Sequence, residues 1–357
     1  ILIKYEISVA FSTVIGFTFF LPSLFKPSSF RQAFLRGWLF GFGYHTAAFY
    51  WVVMSLSVDW GKFWMFIPLA IFGIPCFLSL YIGGIGLLVH QVKYSKFLKY
   101  IVFCCGWILM EIIRGKYIMA FPWNLLGYVW IHSSLIQLTS YIGIYGLTAL
   151  SIFIVSLLSI ISTVRCVWIT GYVVFFLIAD YLLPWHLKTT TPHSYTNNTL
   201  HLVQPNISQY ERWDSKNYFH NFEKTLQMCQ FDQTSQKEFI IWSESGIDFD
   251  LESVPLAKKM ISQMLRPNQI LLTGALRRER NPLKLFNSLL VINHEGEIIE
   301  YYDKSRLLPY GEYIPGRKYM PKQLIGVASG SIDYSPGLGR KVIKIDGYPS
   351  FIPLICF

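Results

Sequence analysis

Charge, paired cysteines and metal-ligand patterns are scarce in this chain. Asp, Glu, Lys and Arg make up only 15% of its 357 residues, while 53% are hydrophobic. Mean hydropathy is +0.38, which excludes an ordinary soluble protein or a disordered one. Six cysteines are present, but no Cys-x-x-Cys pair and no disulfide spacing. Cys76, Cys104, Cys105 and Cys166 lie in apolar runs, where a thiol acts as a small hydrophobe, and Cys229 has no notable context. There is no His-Glu-x-x-His, so neither a metal site nor a cofactor is expected. His201, His220 and His294 have no Gly-x-Ser-x-Gly partner, which leaves no Ser-His-Asp system. The formal net charge of +10 comes without any nucleic-acid motif, so no nucleic-acid partner is expected. No internal repeat or low-complexity segment is present. The first residue is Ile1, so a leader peptide cannot be judged.

Long apolar runs are abundant. About 18 or more apolar residues span a bilayer, and the first half of the chain reads as six spans, near 5–24, 34–57, 64–90, 97–113, 134–162 and 166–185. Lys26, Arg31 and Arg36 fall in one connection, Lys93, Lys96 and Lys99 in another, and Arg165 in a third. These three connections are expected on the cytoplasmic side. The alternate connections hold Lys62, then Arg114 with Lys116, so the bias is modest. The segment after the sixth span then falls on the outer face, and so does Ile1, which implies a further span upstream. Composition changes near Leu187, where Lys188-Thr189-Thr190-Thr191-Pro192 reads as a polar linker. The expected organisation is a transmembrane helical domain over 1–185, a linker over 186–198 and a soluble α/β domain over 199–357. In the last, strands are expected at 200–203, 239–242, 270–276, 288–292, 297–302, 342–345 and 351–356. Helices are expected at 218–229 and 254–265. His294-Glu295-Gly296 is a hairpin signal.

Three residues at the ends of apolar, strand-like runs form an acid–amine–thiol series: Glu244, Lys304 and Cys356. A carboxylate at the end of a buried strand lies where open α/β sheets bind ligands, and it suits a general base. A nearby lysine favours a thiolate and steadies an oxyanion. A thiol beside both is a nucleophile for acyl transfer. The loop Leu308-Pro309-Tyr310-Gly311-Glu312-Tyr313-Ile314-Pro315-Gly316 adds a second acid, Glu312. Each residue has a plainer reading: a strand-end acid paired with some lysine, a surface lysine, an inert core thiol, a solvated loop acid. In the apolar half, Glu111 and Arg114 lie three apart, followed by Phe121, Pro122 and Trp123. Ionisable groups at membrane depth are costly and tend to be functional, although an interfacial ion pair with an aromatic belt explains them too. Tyr44 and His45 read as a polar contact between helices.

At this point the chain resembles the apolipoprotein N-acyltransferase family, a membrane branch of the nitrilase (carbon–nitrogen hydrolase) superfamily. The resemblance rests on Tyr50-Trp51, Glu111-Ile112-Ile113-Arg114-Gly115 and Phe121-Pro122-Trp123 in the apolar half. In the soluble half it rests on Val203-Gln204-Pro205-Asn206-Ile207, Trp213-Asp214, Ile241-Trp242-Ser243-Glu244-Ser245, Tyr302-Asp303-Lys304, the 308–315 loop and Ile355-Cys356. It implies a multi-span helical membrane domain followed by a nitrilase-like αββα sandwich, incomplete at its C-terminus and facing the periplasm from the bacterial inner membrane. It implies Glu244, Lys304 and Cys356 as the triad, Glu312 as an auxiliary glutamate and Trp213 at the site's rim. The implied reaction takes an acyl chain from phospholipid, through a cysteine thioester, to the amine of a diacylglyceryl-cysteine apolipoprotein, with the enzyme a monomer among membrane lipids. Ser243 stands where the family usually has Pro, and Phe357 where it usually has Tyr. The chain therefore reads as a piece lacking both ends, expected to be inactive and poorly folded alone. Three rivals remain: a membrane-anchored amidase, a decayed gene product or scaffold, and a transporter. The last lacks the Gly/Pro-broken helix pair such proteins use.

Overall fold

A computed structural model describes residues 13, 15–56, 61, 64–93, 95–118, 122–161, 171, 174, 178, 198–208, 211–212, 214–232, 236–309, 311–317 and 332–355. The chain divides into two compact units, Ile1–Pro192 and His193–Phe357. The expected span at 166–185, apart from residues 171, 174 and 178, and the start of the one at 5–24 lie outside the described residues, as do Phe121, Trp213 and Cys356.

The first unit is helical: α1 (Ile15–Leu24), α2 (Phe30–Phe49), α3 (Ile74–Gln91), α4 (Lys96–Ile113) and α5 (Thr139–Ile161). Two stretches, Trp64–Gln91 and Ser134–Ser156, are long and apolar enough to cross a membrane. The span expected at 34–57 is instead α2 and a separate short helix, Val52–Leu56. The span expected at 134–162 is broken at Gly143, whose φ of 67° no helix adopts.

Small residues set the closest helix contact. Ala33, Gly37 and Gly41 of α2 face Ser79, Gly83 and Gly86 of α3, with backbone against backbone. A Cβ on Gly37 would collide with the carbonyl of Ile82, and one on Gly86 with that of Ala33. Such small-residue spacing lets membrane helices pack without a hydrophobic drive between them. On α4 the buried residues are Tyr100, Phe103, Cys104, Trp107, Met110 and Glu111, one face at helical period. They meet Phe17, Phe20 and Phe40 in an aromatic core in which Phe20 and Phe40 stack at 3.8 Å. Ser95 caps α4 by accepting from Leu98 N at 3.3 Å. Arg36 donates to the carbonyls of Ser23 and Lys26 at 2.6 and 3.0 Å, and Lys99 to that of Phe25 at 3.1 Å. The basic connections around 26–36 and 93–99 therefore lie at one end of this unit.

The second unit is built on one mixed sheet in the order β1 (Asn198–Leu202), β2 (Lys237–Ile241), β3 (Gln269–Arg280), β4 (Leu283–Ile292), β5 (Ile298–Asp303). β1, β2 and β3 run parallel, whereas β3–β4 and β4–β5 are antiparallel. Alternation along the strands divides the core. Ile240, Leu271 and Leu290 face α6 (Tyr218–Gln227) and α7 (Pro255–Met264), whose Phe222 and Ile261 lie in the same cluster. Phe239, Ile270, Leu272 and Val291 face the other side, covered by Ile343, Tyr348, Phe351 and Ile355.

The expected hairpin forms: Asn293 Oδ1 accepts from Glu295 N and Glu297 N at 3.1 and 2.9 Å, with Gly296 at φ 78°. Among the described residues the strands expected at 342–345 and 351–356 are not formed; Ile343 and Phe351 share a single antiparallel bridge. A turn closed by Tyr348 N on Ile345 O, with Gly347 at φ 76°, separates them, and Pro353 carries no N–H for a ladder. The second layer of the expected sandwich is not among the described residues.

Candidate active site

Glu244 sits just past β2, on a turn that the strand beside it holds. Trp242 N bonds to Leu272 O at 2.9 Å, and Gly274 N to Ser243 O at 3.3 Å. Ser245 adopts φ 53°, a conformation unusual for a non-glycine residue. Gly274 is what lets β3 pass this close: a Cβ there would strike Ser245 N and the Cα of Glu244. Arg212 ties the turn down, donating to Ser245 O at 2.7 Å and lying 3.9 Å from Asp248. Burial pushes the Asp248 carboxyl up, and Arg212 partly opposes the shift.

Lys304 leaves the end of β5 beside β4, its N–H on Asn287 O at 2.8 Å. The preceding Asp303 takes two bonds from Arg277, at 2.9 and 2.7 Å. The Arg277 guanidinium lies between the rings of Phe286 and Tyr301, 4.4 Å from each. Burial works against its charge, but Asp303 and Glu279 outweigh that and raise its pKa. The strand end carrying Lys304 is thus fixed by a charge-assisted fork.

Glu312 arrives on the 308–315 loop. Its Oε2 accepts from Leu308 N at 2.7 Å, while Ile314 is buried and bonds through its N–H to Asp333. The Lys304 ammonium, its side chain only 5% exposed, lies 3.0 Å from Glu312 and 3.4 Å from Glu244. Asn287 Nδ2 completes the cluster, donating to Glu244 at 2.8 Å and Glu312 at 2.7 Å. Burial, then the nearby Glu312 charge, raises the Tyr334 phenol.

Three of the five soluble-domain residues singled out from sequence, Glu244, Lys304 and Glu312, therefore converge. Cys356 and Trp213 lie outside the described residues. Asn287, Arg212 and Arg277 were missed. The one available signal for Asn287 was an amide inside the apolar run Leu285-Phe286-Asn287-Ser288-Leu289.

In the helical unit Glu111 and Arg114 are both buried, and each bonds to the segment that follows. Glu111 accepts from Trp107 Nε1 at 3.1 Å, Leu126 N at 2.9 Å and Thr148 Oγ1 at 2.9 Å. Arg114 donates to Asn124 O at 3.3 Å, and Asn124 Nδ2 donates to Ala48 O at 2.6 Å. Tyr44 joins them through a 3.4 Å bond to Asn124 O, while neither ring nitrogen of buried His45 has a partner among the described residues. Pro122 is half-buried near Gly115. Trp123 is exposed and meets Trp51 edge to face at 5.0 Å.

Two carboxylates and a buried ammonium meet at the ends of the mixed sheet, and the family profile described as "Carbon-nitrogen hydrolase" matches residues 201–345. Residues 2–157 match the "Apolipoprotein N-acyltransferase N-terminal domain". The apolipoprotein N-acyltransferase of Rickettsia typhi is 30% identical over 95% of this chain and 71% of its own length. Those of Brucella melitensis (29%, 90% and 63%) and Allorhizobium ampelinum (30%, 92% and 64%) are similar. The chain belongs to the apolipoprotein N-acyltransferase family and, with it, to the acyltransferases.

Proposed function

We propose that this chain transfers an acyl group from phospholipid to the N-terminal amine of an apolipoprotein, with Cys356 as nucleophile. The observation that carries the reading is the convergence of Glu244, Glu312 and the buried ammonium of Lys304. Glu244 Oε1 is occupied by Asn287 and Lys304, while its Oε2 has no partner among the described residues. That oxygen is open to take a proton.

In the first half-reaction the Cys356 sulfur attacks the ester carbonyl as Glu244 removes the thiol proton. Lys304 steadies the oxyanion. The C–O bond breaks, Glu244 returns the proton to the leaving lysophospholipid alkoxide, and a thioester remains. In the second half-reaction the acceptor amine attacks the thioester. Its proton passes through Glu244 to the departing sulfur, which regenerates the thiol.

The membrane setting follows from the substrates. We read the first unit as a multi-pass inner-membrane domain of about six spans, with the catalytic unit as a periplasmic αββα sandwich and the enzyme as a monomer. Two helices long enough to span and the shared end of the basic connections support this. A cavity of about 790 Å³ lined by Phe17, Phe40, Gly43, Tyr44, Trp51 and Tyr128 suits a hydrocarbon chain. Glu111 and Arg114 shape one of its walls by holding Asn124 and the 125–130 turn.

The test is to incubate the membrane-embedded protein with acyl-labelled phospholipid. A hydroxylamine-sensitive label that disappears in Cys356→Ala supports the reading. A label that survives Cys356→Ala, or release of free fatty acid with no bound label, contradicts it.

A further inference from the structure

Two carboxylates and one ammonium make an unbalanced set. Glu244 and Glu312 both turn Oε1 toward Lys304 Nζ, at 3.4 and 3.0 Å. Like charges this close normally expel one another or force one to take a proton. Asn287 stands on the other side of the same two oxygens, and its single Nδ2 reaches both, at 2.8 and 2.7 Å. The four atoms form a ring in which donors and acceptors alternate. The amide must present its N–H₂ group here, since its oxygen would face two acceptors with nothing to offer. The backbone fixes the amide's place: Asn287 O accepts from Lys304 N, and Asn287 pairs with Leu276 in the β3–β4 ladder. Glu312 has a further anchor in Leu308 N, whereas Glu244 has none beyond Lys304 and Asn287. The shorter of Glu244's two bonds is the one from the amide.

We propose that Asn287 is a positioning residue that lets two carboxylates share one ammonium, holding Glu244 by Oε1 so that Oε2 stays open for the proton in acyl transfer. The inference rests on the acyl-transfer reading for its last clause only; the clamp itself stands on the geometry. The groups facing the pair among the described residues are Lys304 just past β5, Glu312 and Tyr334 from the loops, and Arg212, whose guanidinium meets main-chain oxygens of the Glu244 turn and lies 3.9 Å from Asp248.

The test uses the intact chain in phospholipid vesicles as Asn287→Ala, Glu312→Gln and the double variant. Asn287→Ala is expected to slow acyl-enzyme formation about 30-fold, with the apparent KM for phospholipid unchanged within about 2-fold. In the Glu312→Gln background, where the second negative charge is gone, the same change is expected to cost no more than about 3-fold. An equal loss in both backgrounds, or a loss carried by KM, overturns the proposal. A second readout needs no turnover. Isotope-edited infrared spectra at one pH, with carboxylate bands assigned by Glu244→Gln and Glu312→Gln, are expected to show both bands moving in Asn287→Ala and neither in Asn268→Ala, a change at an amide that donates to Gln236 O at 2.6 Å before β3. Bands that stay in place overturn the clamp. If no phospholipid acylates the wild-type protein and the bands still move, the acyl-transfer reading fails and the clamp stands.

Discussion

Lys304 is the residue on which the proposed chemistry of the second unit turns. A 5%-exposed ammonium is tolerated only because two carboxylates surround it. Lys304→Met leaves those acids facing each other and removes the cation proposed for the oxyanion. The expected result is a loss of acyl transfer of roughly 100- to 1,000-fold, read as the rate of acyl-enzyme formation. Cys229 shows the opposite condition for a thiol. It is buried, donates to Thr225 O and accepts from Trp242 Nε1, each at 3.2 Å. Burial pushes it up to about 11, the Trp242 bond only partly opposing. In the folded protein at pH 8 it should resist alkylation and react only on unfolding. The sign for stability follows: the unfolded thiol releases its proton first, near 9, so stability falls as pH climbs from about 9 to about 11. Cys229→Ala should flatten that part of a denaturation-versus-pH curve.

Elements deliver these residues through glycine at close approaches. Gly274→Val should push β3 off the Glu244 turn, because its side chain would meet Ser245 N and Glu244 Cα. Overpacking of this kind costs about 1–3 kcal/mol, and the rate of acyl-enzyme formation should fall further than that stability loss alone would account for. Gly37→Leu should separate α2 from α3 in the same way and lower the thermal midpoint of the helical unit. How much of this was legible in sequence depends on range. The hairpin at 293–297 was readable because Asn293 and Gly296 act within five residues. The strand ends bearing Glu244 and Lys304 were readable because apolar runs precede them. The full length of β3 and β4 was not: past Leu276 the pair runs out through Arg277–Arg280 and Leu283–Leu285, mostly polar or exposed positions that no apolar alternation marks. Asn287 and the glycine stripe on α2 take their meaning from partners dozens of residues away, which no local pattern contains.

For the whole molecule, the pairing of a helical unit with a carbon–nitrogen hydrolase unit makes sense if both substrates are lipids. Gly43 lines the apolar cavity, and a Cβ there meets nothing within 4 Å. Gly43→Leu should therefore occupy the cavity without disturbing its walls. It is expected to leave the thermal midpoint within about 2 °C, on the scale of a sub-kilocalorie change, while raising the apparent KM for long-chain phospholipid more than for a short-chain donor. Equal effects on both donors would separate the cavity from substrate binding.

The most direct measurement is intact-protein mass spectrometry of the membrane-embedded chain after a brief exposure to a phospholipid of known acyl composition, comparing wild type with Glu244→Gln. The account predicts a mass increase of one acyl group on the wild type, removed by hydroxylamine, and at most a trace on Glu244→Gln. Equal acylation of both proteins would mean that the carboxylate beside Lys304 does not drive the chemistry.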